Sequence, residues 1–132
     1  ASNNTLDMVE ETRFAALLPK GTRYNPEAVS ARTALRMATI NGARAFGLGH
    51  LTGSLETGKR ADLIVIHADA SNMIPVYDEY SAIVYAANSK NIRSSMVNGK
   101  WIMRNREVLN IDKEATMHAM QLLVNESRKC NQ

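Results

Sequence analysis

The stretch Ile92-Arg93-Ser94-Ser95-Met96-Val97-Asn98-Gly99-Lys100-Trp101-Ile102-Met103-Arg104 decides how the second half of this chain folds. Asn-Gly between two β-prone runs is a strong local signal for a two-residue hairpin, because both central residues of that turn need positive φ. The turn sets a register. It puts Met96 opposite Trp101 and Ser94 opposite Met103 on one side of the ribbon, with Val97, Ser95 and Ile102 on the other beside the cationic residues. A one-residue slip would send Ile92, Met96 and Trp101 to opposite faces, so the pattern and the turn constrain each other.

Upstream of the hairpin, Gly53-Ser54-Leu55-Glu56-Thr57-Gly58-Lys59 reads as loop and Asp62-Leu63-Ile64-Val65-Ile66-His67 as a short strand. The continuous apolar run, its β-branching and the flanking Gly and Asp predict burial on both faces. Residues 80–87 fit neither period and stay unassigned. Downstream, Val108-Leu109 suits another short strand. Asp112 caps a last helix carrying Ala115, Ala119, Leu122 and Leu123 on one face.

Toward the N-terminus, residues 5–18 read as a helix capped by Thr5 or Asn4, with Pro19 and Gly21 ending it. Asn25-Pro26 starts the next helix, whose stripe Ala31, Ala34, Leu35, Ala38, Gly42, Ala45, Phe46 keeps helical spacing. Asn41-Gly42 kinks or divides that helix, and Gly47 and Gly49 end it. Helices, then strands, then one helix make the chain α+β, with no βαβ alternation for a self-contained parallel sheet.

Composition narrows the function classes. With 45% hydrophobic and 22% charged residues over 132 positions, the chain is an ordinary globular one rather than a disordered one. A net charge of +3 is spread among acids, and Arg32, Arg36 and Arg44 read as a solvated helix face, so no nucleic-acid partner is expected. One cysteine, Cys130, excludes an intrachain disulfide, and no apolar run suits a membrane span or a signal peptide. These features predict a cytoplasmic protein without a membrane partner. The opening Ala1-Ser2-Asn3-Asn4, without Met, reads as cut from something longer.

Little of the chain has the spacing that chemistry requires. His50, His67 and His118 show neither H-x-H nor H-E-x-x-H, and no C-x-x-C exists. The zinc deaminases of the cytidine type need H-x-E and P-C-x-x-C, both absent. Gly47, Gly49 and Gly53 are wrongly spaced for a dinucleotide loop. Ser54, His67 and Asp62 form a triad only on paper, since Ser54 is not in G-x-S-x-G.

Five segments in order carry a resemblance instead. They are Ala1-Ser2-Asn3-Asn4-Thr5-Leu6-Asp7-Met8 running on to Leu18, Ala34 to Ala45, and Gly53-Ser54-Leu55-Glu56-x-Gly58-Lys59-x-Ala61-Asp62-Leu63-Ile64-Val65. Pro75-Val76-Tyr77-Asp78-x-Tyr80-Ser81 with Val84-Tyr85-Ala86-Ala87, and Val97-Asn98-Gly99-Lys100, complete the set. Together they resemble the C-terminal portion of metal-dependent amidohydrolases of the S-adenosylhomocysteine/methylthioadenosine deaminase and chlorohydrolase-like group. The resemblance implies a parent with a (β/α)8 barrel and a small accessory β-sandwich. Residues 1–47 would supply the last helices of the barrel, and residues 48–132 the sandwich strands and a C-terminal helix.

In such a parent, zinc or another divalent metal lowers the pKa of bound water and aims it at a nitrogenous ring, for hydrolytic deamination or dechlorination. The ligand histidines and aspartate would precede Ala1, so the isolated chain is expected to hold no metal, to carry no catalytic residue and to be inactive. Ser2, Asn3 and Asn4 would lie on the loop after the last barrel strand and bind substrate, although a helix cap and turn explain them equally well. Asn105-Arg106 stands where the group has Asp-Gly. The expected partners are a second copy or the missing N-terminal part, with a small-molecule substrate in the parent. A non-catalytic module that binds itself or a partner is the alternative.

Overall fold

Asp7, with its carboxylate accepting from the backbone N–H groups of Val9 at 2.9 Å and Glu10 at 3.2 Å, starts the first helix, α1 (Met8–Thr22). The cap is therefore Asp7 and not Thr5, which stands three residues before Met8 and outside the capping position, while Asn4 lies outside the described residues. The structure is a computed structural model and describes residues 5–130. Pro19 lies inside the last turn of α1 instead of ending it. Its φ suits a helix, and its carbonyl still accepts from Arg23 N–H at 3.1 Å.

The second helix, α2 (Ala31–Arg36), starts later than Asn25-Pro26 predicts. Asn25 spends its side chain on a local turn, Oδ1 accepting from Glu27 N–H at 2.9 Å, and Ser30 caps the helix through Thr33 N–H at 3.2 Å. The expected division is present as a π-helical turn, Met37–Asn41, which separates α2 from α3 (Gly42–Ala45). Thr39 leaves helical geometry there, and its hydroxyl donates to Leu35 O at 2.7 Å. Gly42 is required by the approach: a Cβ on it would stand 2.9 Å from Met37 O.

The sheet contains β1 (Leu63–Ile66), β2 (Ile92–Val97), β3 (Lys100–Arg104) and β4 (Glu107–Val108), antiparallel and in sequence order. Met96 stands opposite Trp101, and Asn98 and Gly99 take φ of 49° and 76°, as the hairpin reading requires. Beyond that pair the reading fails. Met103 is opposite Ser95, not Ser94, because the register shifts by one at a bulge between Ser95 and Met96. β1 is also not buried on both faces. Among the described residues it is an edge strand paired only with β2, with Ile64 52% and Val65 39% exposed.

Residues 78–91 connect β1 to β2 through α4 (Glu79–Ser81), a π-helical turn Ala82–Ala86 and a 3-10 turn Ser89–Asn91. This segment supplies the largest side chain of the core. Val84 is the largest side chain wholly removed from solvent among the described residues, and it packs with Ala16, Ala31 and Ala34 against Val29, Leu35 and Tyr85. Arg13 on α1 ties the same segment down, donating to Val84 O at 3.3 Å and, more closely, to Ala87 O. A core made mainly of alanines removes little apolar area for a chain of this length. The terminal helix α5 (Lys113–Cys130) is capped as expected, Asp112 Oδ1 accepting from Ala115 N–H at 3.0 Å. Its expected apolar face is not buried among the described residues, and every side chain from Lys113 to Arg128 is exposed. No described helix is long and apolar enough to cross a membrane.

Candidate functional site

The main concavity lies between α2 and the edge strand β1. Two hollows, of about 240 and 670 Å³, share Leu35, Ala38, Thr39, Ile64, Ile66 and Ile83 and so form one trough. Leu35 at the end of α2 and Ala38 and Thr39 in the turn after it line the trough with Ile64 and Ile66 of β1 and with Ile83. Its lining is almost entirely hydrocarbon, with Asp62 and Thr52 at one end. Contiguous apolar surface of this kind marks a protein-contact surface or a ligand-binding groove.

Asp62 fastens that end. Its Oδ2 accepts from the Thr52 hydroxyl at 2.7 Å, and its Oδ1 accepts from the backbone N–H of Asn98 at 2.5 Å. The Asn-Gly turn is thereby tied to the loop before β1, and Gly99 N–H reinforces the tie by donating to Ala61 O at 3.0 Å. The Thr52 hydroxyl first, then the Asn98 amide and the nearby Arg60 charge, hold the Asp62 carboxyl below its ordinary pKa. In the preceding loop, Glu56 is lowered by the Ser54 hydroxyl and by Lys59, whose Nζ lies 3.2 Å from Oε1.

The paper triad is not assembled. Ser54 donates to Glu56 at 2.5 Å and accepts from Lys59 at 2.6 Å, Asp62 is spent on Thr52 and Asn98, and His67 Nε2 lies 2.6 Å from Asp69 Oδ1. Ser2, Asn3 and Asn4 lie outside the described residues. A pair that the sequence reading passed over is Asn72 and Asn91. Asn91 is buried; it exchanges side-chain hydrogen bonds with Asn72 at 3.0 and 3.2 Å and accepts from Asn88 N–H at 2.9 Å. The available signal was Asn88-Ser89-Lys90-Asn91, an amide residue at each end of one turn.

A catalytic metal needs three protein ligands brought to one point. Among the described residues no three His, Cys, Asp or Glu side chains come together in that way. Residues 5–130 therefore do not provide the donor set for the zinc that the resemblance implies.

The fold and the matched residues define the class: this chain belongs to the amidohydrolase family, whose sequence pattern it matches over residues 1–102, and it corresponds to a C-terminal portion of its relatives. It is 45% identical over 114 residues to the 5-methylthioadenosine/S-adenosylhomocysteine deaminase of Acetivibrio thermocellus, covering 86% of this chain and 26% of that protein. It is 43% identical over 121 residues to the 5'-deoxyadenosine deaminase of Methanosarcina barkeri, covering 92% of this chain and 28% of that one. Its fold superimposes with a TM-score of 0.93 on a zinc-bound adenosine deaminase from Xanthomonas campestris, at 36% identity, covering 98% of this chain and 29% of that structure. The atrazine chlorohydrolase of Arthrobacter aurescens TC1, complexed with zinc, gives 0.79 at 29% identity, covering 88% of this chain and 26% of that structure. The chain thus spans about a quarter of the length of the relatives it matches.

Proposed function

We propose that this chain is the part of an amidohydrolase that closes the barrel and builds the accessory domain, in an enzyme that hydrolytically deaminates an adenosine-type nucleoside. Residues 1–47 form the last barrel helices, and residues 48–132 form strands of the accessory sandwich and its helix. The observation that carries the reading is the apolar trough between α2 and β1. A barrel helix and a sandwich strand lining one groove are left open when the rest of a barrel is not there to fill it. The deaminase relatives favour a nucleoside ring over a triazine, because the identities to them are the higher ones.

In that enzyme Ser2, Asn3 and Asn4 follow the last barrel strand, where hydroxyl and amide groups hydrogen-bond the edge of the ring. The metal and its ligands belong to the portion preceding Ala1. When bound, the ion supplies an activated water. The present residues contribute the fit of the accessory domain and, through Asp62 and the Asn98-Gly99 turn, its rigidity.

The test joins this chain to the N-terminal three quarters of the Acetivibrio thermocellus deaminase and assays release of ammonia from 5'-methylthioadenosine. The isolated chain is expected to be inactive and to bind no stoichiometric zinc, while the joined protein turns over and loses activity when Asn3 and Asn4 become Ala. Turnover with one zinc per chain by the isolated protein would overturn the assignment.

A further inference from the structure

A second recess lies at the far end of the sheet from the Asn98-Gly99 turn. It has a volume of about 250 Å³ and is lined by His67, Lys90, Arg93, Asn105 and Arg106. Two of its cations are held in place by hydrogen bonds, Arg106 by backbone carbonyls and Arg93 by a side-chain amide. Arg106 Nη1 donates to the carbonyls of Lys90 at 2.8 Å, Ile92 at 3.1 Å and Ser89 at 3.3 Å. Arg93 Nε donates to Asn105 Oδ1 at 2.9 Å. His67 is engaged with Asp69, which leaves Lys90, Arg93 and Arg106 as the charges that matter, and among the described residues none of these three forms an ion pair.

The turn that carries Arg106 is strained. Asn105 and Arg106 take φ of 49° and 69°, a region that favours glycine, yet an arginine stands there. Strain retained at a polar site is a sign of use when the surroundings fix it, and three carbonyls fix this one. The result is a concave cluster of like charge whose remaining guanidinium and ammonium N–H groups have no described protein acceptor. Such a field concentrates small anions, and guanidinium forks match tetrahedral oxyanions in geometry.

We propose that this recess binds a phosphate-type oxyanion through Lys90, Arg93 and Arg106. The proposal is independent of the assigned deaminase role. It is tested by following backbone amide chemical shifts of the full chain at low ionic strength during titration with inorganic phosphate and, separately, with glycerol 3-phosphate. Saturable shifts confined to residues 67, 90–93 and 105–106 are expected. R93Q should weaken them by at least about fivefold, and so should R106G, which suits the turn while removing the cation. K100Q, at the other end of the hairpin, should leave them unchanged. Equal affinity for the two probes assigns free phosphate, and tighter binding of glycerol 3-phosphate assigns a phosphomonoester. Absence of saturation by about 10 mM of both probes, or binding by R93Q and R106G as tight as by the native chain, would overturn the proposal.

Discussion

Gly53 and Gly58 sit in one loop at nearly the same backbone angle, φ of +91° and +90°, and replacing each with Ala isolates one physical cause. An L-residue in that region costs about 1–2 kcal/mol, and this term is common to both positions. At Gly58 nothing lies within 4 Å of an added Cβ, so the backbone term is the whole cost. At Gly53 the new methyl would stand 2.7 Å from Ala43 Cβ and 2.9 Å from Ile40 Cα, and a backbone atom cannot swing aside. Overpacking of that kind adds about 1–3 kcal/mol. The expected losses are therefore roughly 1–2 kcal/mol for G58A and roughly 2–5 kcal/mol for G53A. At about 4 °C per kcal/mol for a chain of this size, the two melting temperatures should differ by about 4–12 °C. Circular dichroism melts and urea titrations at one fixed protein concentration read the difference directly. If G53A and G58A melt together, the loop does not press against Ile40 and Ala43, and the reasoning fails.

Val84→Ala should cost about 2 kcal/mol, seen as a lower urea midpoint with an unchanged slope, because two methyl groups leave the largest wholly enclosed side chain among the described residues. Asp62 carries a pH signature. Its folded pKa is lowered, so its contribution is complete above the ordinary aspartate value of 3.8 and is lost as pH falls from there through the folded value. The stability gap between the native chain and D62N should thus be widest above about pH 4 and close below it; a gap constant from neutral to acid pH would refute the tie. Light scattering over a dilution series should find more than a monomer, since β1 and the trough lack a cover. A monomeric mass down to low micromolar concentration, with unfolding independent of concentration, would show the faces to be self-sufficient.

Local chemistry was the legible part of the sequence. The Asn98-Gly99 turn, the Met96–Trp101 pair, the Asp112 cap and the break before Gly42 each depend on a few adjacent residues whose requirements are strict. The bulge that moves Met103 from Ser94 to Ser95 left no trace, because an inserted residue changes alternation only beyond the turn that set it. Residues 80–87 looked irregular because they are: one turn of α-helix runs into a π-helical turn, and neither persists long enough to display a period. Asp62 drew attention as a member of a triad, yet its role is to hold a turn 36 positions away, which no local pattern encodes. The apolar run of β1 was read as buried on both faces, yet Ile64 and Val65 are exposed, because hydrophobicity along a strand does not say which neighbours it meets.

The two margins of the sheet differ in a way that governs growth. β4 is two exposed residues long and offers almost nothing to pair with, whereas β1 presents four apolar residues with one side unpaired. A filament needs adhesive margins at both ends, so that each added copy leaves a fresh template behind it. Here the template exists at one end only. Two copies meeting edge to edge through β1 would do so about a two-fold axis, and each would then present only its β4 margin. Were β1 to pair with a second copy, the asymmetry between a blunt margin and an adhesive one would limit growth to a dimer.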